Sequence, residues 1–559
     1  MGALVGFSLF TSLAMPSGAL ATSTAVVGWG ENTRYDVGAG YRDAAGNAKI
    51  QPALGITNVK TVLSAGSASY AVLPDETIRA WGAGTRGNLG DGIFRQVEGA
   101  PIAIARSPVT VLEQNSLGER KPLTHVKQLA ASYGAYIHAL ALVENPAHEM
   151  EVFTWGASEY GERGNGEYGV VNPKEGESHA IDPREVAMAT VPLKHVVYVA
   201  AGGAASFAIT EEAGVTKVWA WGIDIHGRLG VVAGTPTIEC EGAGGAQTCV
   251  TEPAEVAIPT LPAGVKVTSL AAGRNAFFAL LSNGQVLAWG ENAHGQVGNG
   301  LTGETVTVPE YVCAERATAP CKTHLERVLQ VSGGLNSAVA LKQGGTVVGW
   351  GSNFDGELGG PAAEAIKVPI AIKGLKKVAQ VSEGSSTTLA LTETGTVYAL
   401  GLNEHGQLGW GSVVGPEKCG QDDCSRSPIA VSGLAKAGGI SAGVAEPGEG
   451  HALAWLKSGS APKPEFTIAA GHGSITVSWT FQSEEFKTAY RFQPETEEES
   501  EISEKWVRWE LEPKICPCST TITGLTPGQQ YEVRVLSLIE VEEKRKKEDS
   551  HSSFATPEA

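Results

Sequence analysis

Basic residues are scarce in this chain: 42 Lys and Arg stand against 60 Asp and Glu among 559 residues, a net charge of −18. Such an excess repels a phosphate backbone unless a local basic stripe offsets it. No such stripe runs along the repeats described below, so nucleic acid is not an expected partner. Long apolar runs are missing too, and beyond Met15 no stretch approaches the roughly 20 residues that span a bilayer. Neither a metalloprotease helix motif nor a calcium-loop consensus occurs. Gly82 to Gly87 spells a dinucleotide fingerprint (GAGTRG), but no strand-helix unit follows it. Carboxylates never recur as a close pair whose surroundings could split two pKa values. A non-enzymatic protein without cofactor or metal is the expectation.

Glycine, by contrast, is abundant, with 71 residues where a share of about 7% is usual. The pattern hydrophobe-Gly-x-x-x-x-Gly-x-x-Gly recurs six times, headed by Trp81, Trp155, Trp221, Trp289, Trp350 and Leu400, and a decayed copy starts at Trp29. Head-to-head spacings from 50 (Trp350 to Leu400) to 74 (Trp81 to Trp155) mark a repeated supersecondary unit with insertions. Four columns align in each unit. A proline leads a β-prone run (Pro52, Pro108, Pro183, Pro253, Pro309, Pro369, Pro428); an apolar run ends in small residues, as in Val196 to Gly202; an alternating strand follows, as in Ala276 to Leu280; the last strand runs into Trp-Gly. Turns such as Asn283-Gly284 between the last two suit tight hairpins. Four antiparallel strands repeated radially describe a propeller blade, so an all-β, seven-bladed β-propeller is predicted. The last copy ends at Trp455 without a Trp-Gly strand, and the chain opens on that missing piece, Ala25 to Gly30. The N-terminal strand should therefore complete the last blade and leave no open edge. Trp29, Trp81, Trp155, Trp221, Trp289 and Trp350 are read as core, each burying about 150–250 Å², at most roughly 4–6 kcal/mol.

The runs Trp289 to Gly298 (WGENAHGQVG), Trp350 to Gly359 (WGSNFDGELG) and Gly401 to Gly409 (GLNEHGQLG) resemble the repeat of the regulator-of-chromosome-condensation family. The resemblance extends from Thr24 to about Gly459 and implies seven blades. For function it implies either guanine-nucleotide exchange on a small nuclear GTPase or service as a protein-binding ring. The family's histidine at the head of the third strand is kept as His138 and His451 and replaced by Ser69, Ala205, Ala276, Ser337 and Thr387.

Residues 464–559 follow a linker at 460–463. Ile475 to Trp479 alternates, and Leu525 to Val535 places Tyr531 at the start of a late strand. This resembles a fibronectin type III domain, an immunoglobulin-like sandwich with Trp479 as core tryptophan and Tyr531 as tyrosine corner. At the other end, the apolar run Gly2 to Met15 and the small residues to Ala21 make 1–23 resemble a secretory signal, although no Lys or Arg precedes Arg34. Cysteines in close couples add to the case for export: Cys240 with Cys249, Cys313 with Cys321 and Cys419 with Cys424 are predicted disulfides. Cys516 and Cys518, one residue apart, are poorly placed to bridge.

One column suggests a partner-binding rim. The residue before the first downstream glycine is Arg86, Tyr160, His226, His294, Asp355 or His405, expected at the same end of every blade. Equivalent positions on a ring are too far apart for His226, His294 and His405 to share one metal ion. The function expected is a secreted or cell-surface bacterial recognition protein, a monomer, whose domain 24–459 binds a protein or a cell-surface polysaccharide. A polysaccharide-acting enzyme or its accessory module, and an exchange factor, are the alternatives.

Overall fold

The computed structural model describes residues 25–457, excepting 41–42, 94–103, 115–118, 135, 170–183, 186–192, 243–244, 435 and 445–449, and continues beyond 465 mainly as strand segments up to 555. The signal-like residues 1–23, the linker 460–463, Pro183 and Cys516 lie outside the described residues.

Seven antiparallel sheets of four or five strands form seven blades. Blade 1 runs from inside to outside through Thr61–Ala65, Ala68–Val72, Ile78–Ala83 and Ile104–Thr110. Blades 2 to 7 start with inner strands Val126–Ala131, Val196–Gly202, Val267–Ala272, Val328–Gly333, Val378–Glu383 and Ala437–Ala442. Each inner strand touches the inner strand of the next blade, and the seventh touches the first, so the array is a closed ring. Blade 7 joins Ala437–Ala442 and His451–Leu456 to Ala25–Asn32 and Asp43–Thr57, with Val27 opposite Ala454 and Gly28 opposite Leu453. Two N-terminal strands, rather than the one expected, complete it.

That difference exposes an offset in the repeat as read from sequence. The proline column belongs to the fourth strand of the preceding blade: Pro52 lies opposite Val27, and Pro108, Pro253, Pro309, Pro369 and Pro428 lie on the other fourth strands. A proline lacks the N–H that an inner strand needs, and only the outer part of a blade tolerates that loss.

The Trp-Gly repeat is the device that fastens blade to blade. All six head tryptophans are fully buried, and each indole N–H crosses to a backbone carbonyl of the preceding blade. Trp81 donates to Asp36 O (2.9 Å), Trp155 to Asn88 O (2.9 Å), Trp221 to Glu162 O (2.8 Å), Trp289 to Leu229 O (3.0 Å) and Trp350 to Gln296 O (2.7 Å). Trp29 donates to Gln407 O (2.8 Å) and closes the circle. The second downstream glycine makes this approach possible, because a Cβ at Gly409 would stand 2.8 Å from Trp29 Cδ1 and Nε1. Where Leu400 replaces the indole, the Thr388 hydroxyl donates to Glu357 O instead (2.6 Å). The copy at Trp29 reads as decayed because Tyr35 occupies the first glycine position, in left-handed backbone at φ 65°.

Beyond the propeller, Phe466–Gly471, Ser474–Trp479 and Cys518–Thr523 form a three-stranded sheet. Val507–Glu510, Phe486–Pro494, Tyr531–Val541 and Lys544–Ala555 form a four-stranded one. Trp479 ends one strand and Tyr531 begins another.

Candidate functional site

The register fixes which end of the ring carries the repeat loops. Gly30, Gly82, Gly156, Gly222, Gly290, Gly351 and Gly401 pair with His451, Ala68, His138, Ala205, Ala276, Ser337 and Thr387, the first residues of the second strands. The loop after each Trp-Gly and the turn between the first two strands therefore share one end, the loop face.

Two side chains shape a typical loop. Asn292, Asn353 and Asn403 accept through Oδ1 from the N–H five residues on (3.0, 2.8 and 3.1 Å). Gln296, Glu357, Gln407 and Glu162 accept from the N–H of His294, Asp355, His405 and Tyr160 (2.8, 3.0, 2.8 and 2.8 Å). Blades 1 and 3 have Asn88 and Arg228 at that position, and there Arg86 and His226 adopt left-handed backbone at φ 62° and 56°.

The expected rim residues thus sit at one end, but with unequal access. His226 is exposed, and Arg86, His294, Asp355 and His405 are half-buried. Tyr160 departs from the expectation, being 2% exposed and packed with Ile223 and the Cys240–Cys249 bridge. It supports the rim from beneath, its ring edge-on to Tyr136 (5.1 Å). Arg86 Nε donates to Glu159 Oε1 (2.5 Å), its guanidinium 5.4 Å from the Tyr136 ring centre. Burial raises the Asp355 carboxyl above the ordinary range. His226, His294 and His405 lie on loops of blades 3, 4 and 6.

Sequence reasoning missed the apolar groups on this face. Tyr168, Leu301, Phe354 and Val414, from blades 2, 4, 5 and 6, are between 49% and 58% exposed. Leu301 and Val414 are held at this end because Asn292 and Asn403 donate to Leu301 O (3.3 Å) and Ser412 O (2.9 Å). Phe354 meets the His294 ring edge-on at 6.3 Å, and Tyr168 lines a cleft of about 340 Å³ with Arg86, Ser158, Glu159, Arg163 and Glu167. At the axis, Tyr133, Leu335 and Val444 pack into one buried apolar cluster. The Tyr133 hydroxyl donates to Ala272 O (3.0 Å), and Arg274 N to Gly334 O (3.0 Å). The centre of the loop face is filled, and its accessible chemistry lies round it.

Strongly perturbed titratable groups often flag reactive sites; here several are fasteners between blades. Burial pushes His138 down to about 4 and His451 down to about 3, so both imidazoles are neutral at pH 7. The Ser206 hydroxyl is committed to Glu162 O (2.8 Å), which leaves His138 Nε2 to donate to Ser206 Oγ (2.7 Å). His451 Nε2 meets Ser69 Oγ at 2.6 Å in the same way, with Ser69 donating to Asp36 O (2.7 Å). Between blades 5 and 6 the histidine is gone and Glu383 serves, accepting from Ser337 Oγ (2.6 Å) and meeting Thr388 Oγ1. Burial pushes Glu383 up to about 7.

Two profiles described as the regulator of chromosome condensation (RCC1) repeat match the chain, one at 267–296 and 378–407, the other at 283–341 and 344–391. The chain carries RCC1 repeats within a seven-bladed propeller. Human WBSCR16 has the same fold at 18% identity, with 78% of this chain and all of that one covered and a TM-score of 0.58. Prp20p from Saccharomyces cerevisiae, described with its binding properties to Gsp1p and histones, follows at 17% identity, with 79% and 93% covered and a TM-score of 0.56. By sequence, the Arabidopsis thaliana mitochondrial RCC1 domain-containing protein RUG3 is 25% identical, covering 61% of this chain and 64% of its own length. Protein pim1 of Schizosaccharomyces pombe is 26% identical, covering 64% and 61%. The chain thus spans less than two thirds of these curated relatives. RCC1-repeat propellers are mostly non-enzymatic binding or exchange-factor proteins, and neither matching family model names a reaction. The three expected cysteine pairs are bonded, with Cα separations of 6.1, 5.6 and 5.8 Å. No helix among the described residues is long and apolar enough to cross a membrane.

Proposed function

We propose that this chain is an exported recognition scaffold whose RCC1-repeat propeller captures a protein partner on its loop face. The observation that carries the reading is the set Tyr168, Leu301, Phe354 and Val414, half-exposed apolar groups on four blades of a closed ring. Aromatic and aliphatic anchors amid polar groups are what protein interfaces use, and a rigid ring loses little entropy on binding. Arg86, His226, His294, Asp355 and His405 supply the polar surround. Binding of Gsp1p and histones by Prp20p supports a protein, rather than a polysaccharide, as the partner class. Export is supported by the three short-range disulfides, which persist in oxidising compartments, and by the apolar run Gly2 to Met15. The C-terminal region serves as a fibronectin type III-like spacer, a reading supported by its three- and four-stranded antiparallel sheets.

A photo-crosslinking residue at Leu301 should give a discrete protein adduct, and the same residue at Val215, in a hairpin at the opposite end, should not. Phe354→Ser should remove the adduct. Equal adducts from both positions, or none from Leu301, would refute the loop face as the binding surface.

A further inference from the structure

We propose a second docking surface, at the end of the propeller opposite the loop face, for an acidic polypeptide segment. Each blade's inner strand is entered there through one residue: Asn58, His125, His195, Lys266, Arg327, Lys377 or Lys436. All except Lys266 hold left-handed backbone, with Arg327, Lys377 and Lys436 at φ 61°, 52° and 56°.

In blades 5 to 7 the entry residue itself, Arg327, Lys377 or Lys436, is an unspent cation, whereas Lys342 of blade 5 is paired with Glu315. Elsewhere at this end Lys60 and Lys127 are paired with Glu76 (3.0 and 2.9 Å) and Lys266 with Glu211 (2.6 Å). Arg327, Lys373, Lys376, Lys377 and Lys436 are exposed and, among the described residues, make no ion pair; Glu326 and Glu393 are exposed carboxylates beside Arg327 and Lys377. The Arg327 Nε donates to Gln343 Oε1 (3.3 Å). Their spacing is fixed by side chains that staple neighbouring inner strands. Gln330 bonds both N and O of Val381 (3.0 and 3.0 Å), and Gln380 both N and O of Ile440 (3.1 and 2.9 Å). Each glutamine stands three residues past Arg327 or Lys377. Between them Leu329 is 44% exposed, an apolar foothold inside the basic arc.

Lysine ammonium groups are compact point charges that suit separate carboxylates. The arc spans three blades of a chain whose net charge is −18, so a long phosphate backbone would run off it onto repelling surface. A short acidic segment with one apolar residue matches both its charge and its extent.

The probe is a fluorescent nonapeptide of four glutamates, one leucine and four glutamates, titrated with the full chain and read by anisotropy. Saturable binding at low ionic strength, weakening about tenfold at physiological salt, is expected. Lys376→Glu with Lys377→Glu and Lys436→Glu should weaken it by at least about tenfold. Lys217→Glu, at a pair with Glu255, and Phe354→Ser, on the loop face, should leave it unchanged. Leu329→Ser should weaken this peptide but not its all-glutamate version. No saturable binding, an equal loss in Lys217→Glu or Phe354→Ser, or tighter binding of a thymidine oligonucleotide than of the peptide would each overturn the proposal.

Discussion

Glu383 turns the fastening between blades 5 and 6 into a pH-dependent one. Thr388 has one hydroxyl hydrogen, and the 2.6 Å contact to Glu357 O claims it. The contact between Thr388 Oγ1 and Glu383 Oε2 then requires the proton on the carboxyl, in keeping with a pKa pushed by burial from 4.5 up to about 7. A carboxyl whose folded pKa lies above its unfolded value binds more protons in the native state. Its stabilising contribution is complete below about pH 4.5 and is lost as pH rises through about 7. The full difference is about 3 kcal/mol, of which about 2 falls between pH 5 and pH 8. Glu383→Gln supplies a permanent N–H toward Thr388 and an oxygen for Ser337. Its stability relative to the parent should therefore rise by about 2 kcal/mol between those pH values. Urea unfolding of both proteins at pH 5, 6, 7 and 8 reads the effect. Glu162, also pushed up to about 7 by burial, contributes equally to both curves and cancels. Parallel curves for parent and variant would refute the protonated relay.

The remaining expectations concern the closure and the bridges. Gly409→Ala meets both φ 61° and the Trp29 ring, and should cost about 2–4 kcal/mol; Gly411→Ala, at φ 102° with nothing within 4 Å, should cost clearly less in the same urea experiment. Thr388→Val strips Glu357 O of its donor and should cost about 1–3 kcal/mol. Tyr70→Phe leaves Asn88 O bonded to Trp155 and should cost about 1 kcal/mol or less, so equal midpoints would contradict the carbonyl argument. Thiol titration of the denatured chain should find Cys240, Cys249, Cys313, Cys321, Cys419 and Cys424 reactive only after reduction; unchanged counts would remove the disulfides and with them one support for export.

The ring was legible because its fasteners are local in sequence and periodic. A tryptophan, a glycine and a second glycine at fixed spacing are the two halves of one inter-blade contact, and the missing last strand is visible as a leftover at the start. The proline column misled by one blade because spacing alone does not say which neighbour a strand pairs with; the edge position that tolerates proline decides it. His138 and His451 were visible as a residue kept, whereas Glu383 was not, since it lies four residues before Thr387, outside the column where the histidine was sought. Side-chain exposure was the least legible property. Tyr160 and Asp355 occupy the same column, yet the Cys240–Cys249 extension covers the first.

Surface chemistry eluded the sequence for a related reason. Arg327, Lys376, Lys377 and Lys436 never form a basic run, and so no stripe is apparent along the repeats, but folding brings the entry points of consecutive inner strands into one arc. The same operation collects Tyr168, Leu301, Phe354 and Val414 at the other end. A propeller converts one position per repeat into one face, so a property too sparse to register along the chain becomes dense round the axis. The two ends then differ in kind, apolar anchors on one and unpaired cations on the other. A ring with two dissimilar ends can hold two partners at once, and binding of the acidic probe should be insensitive to loop-face substitutions.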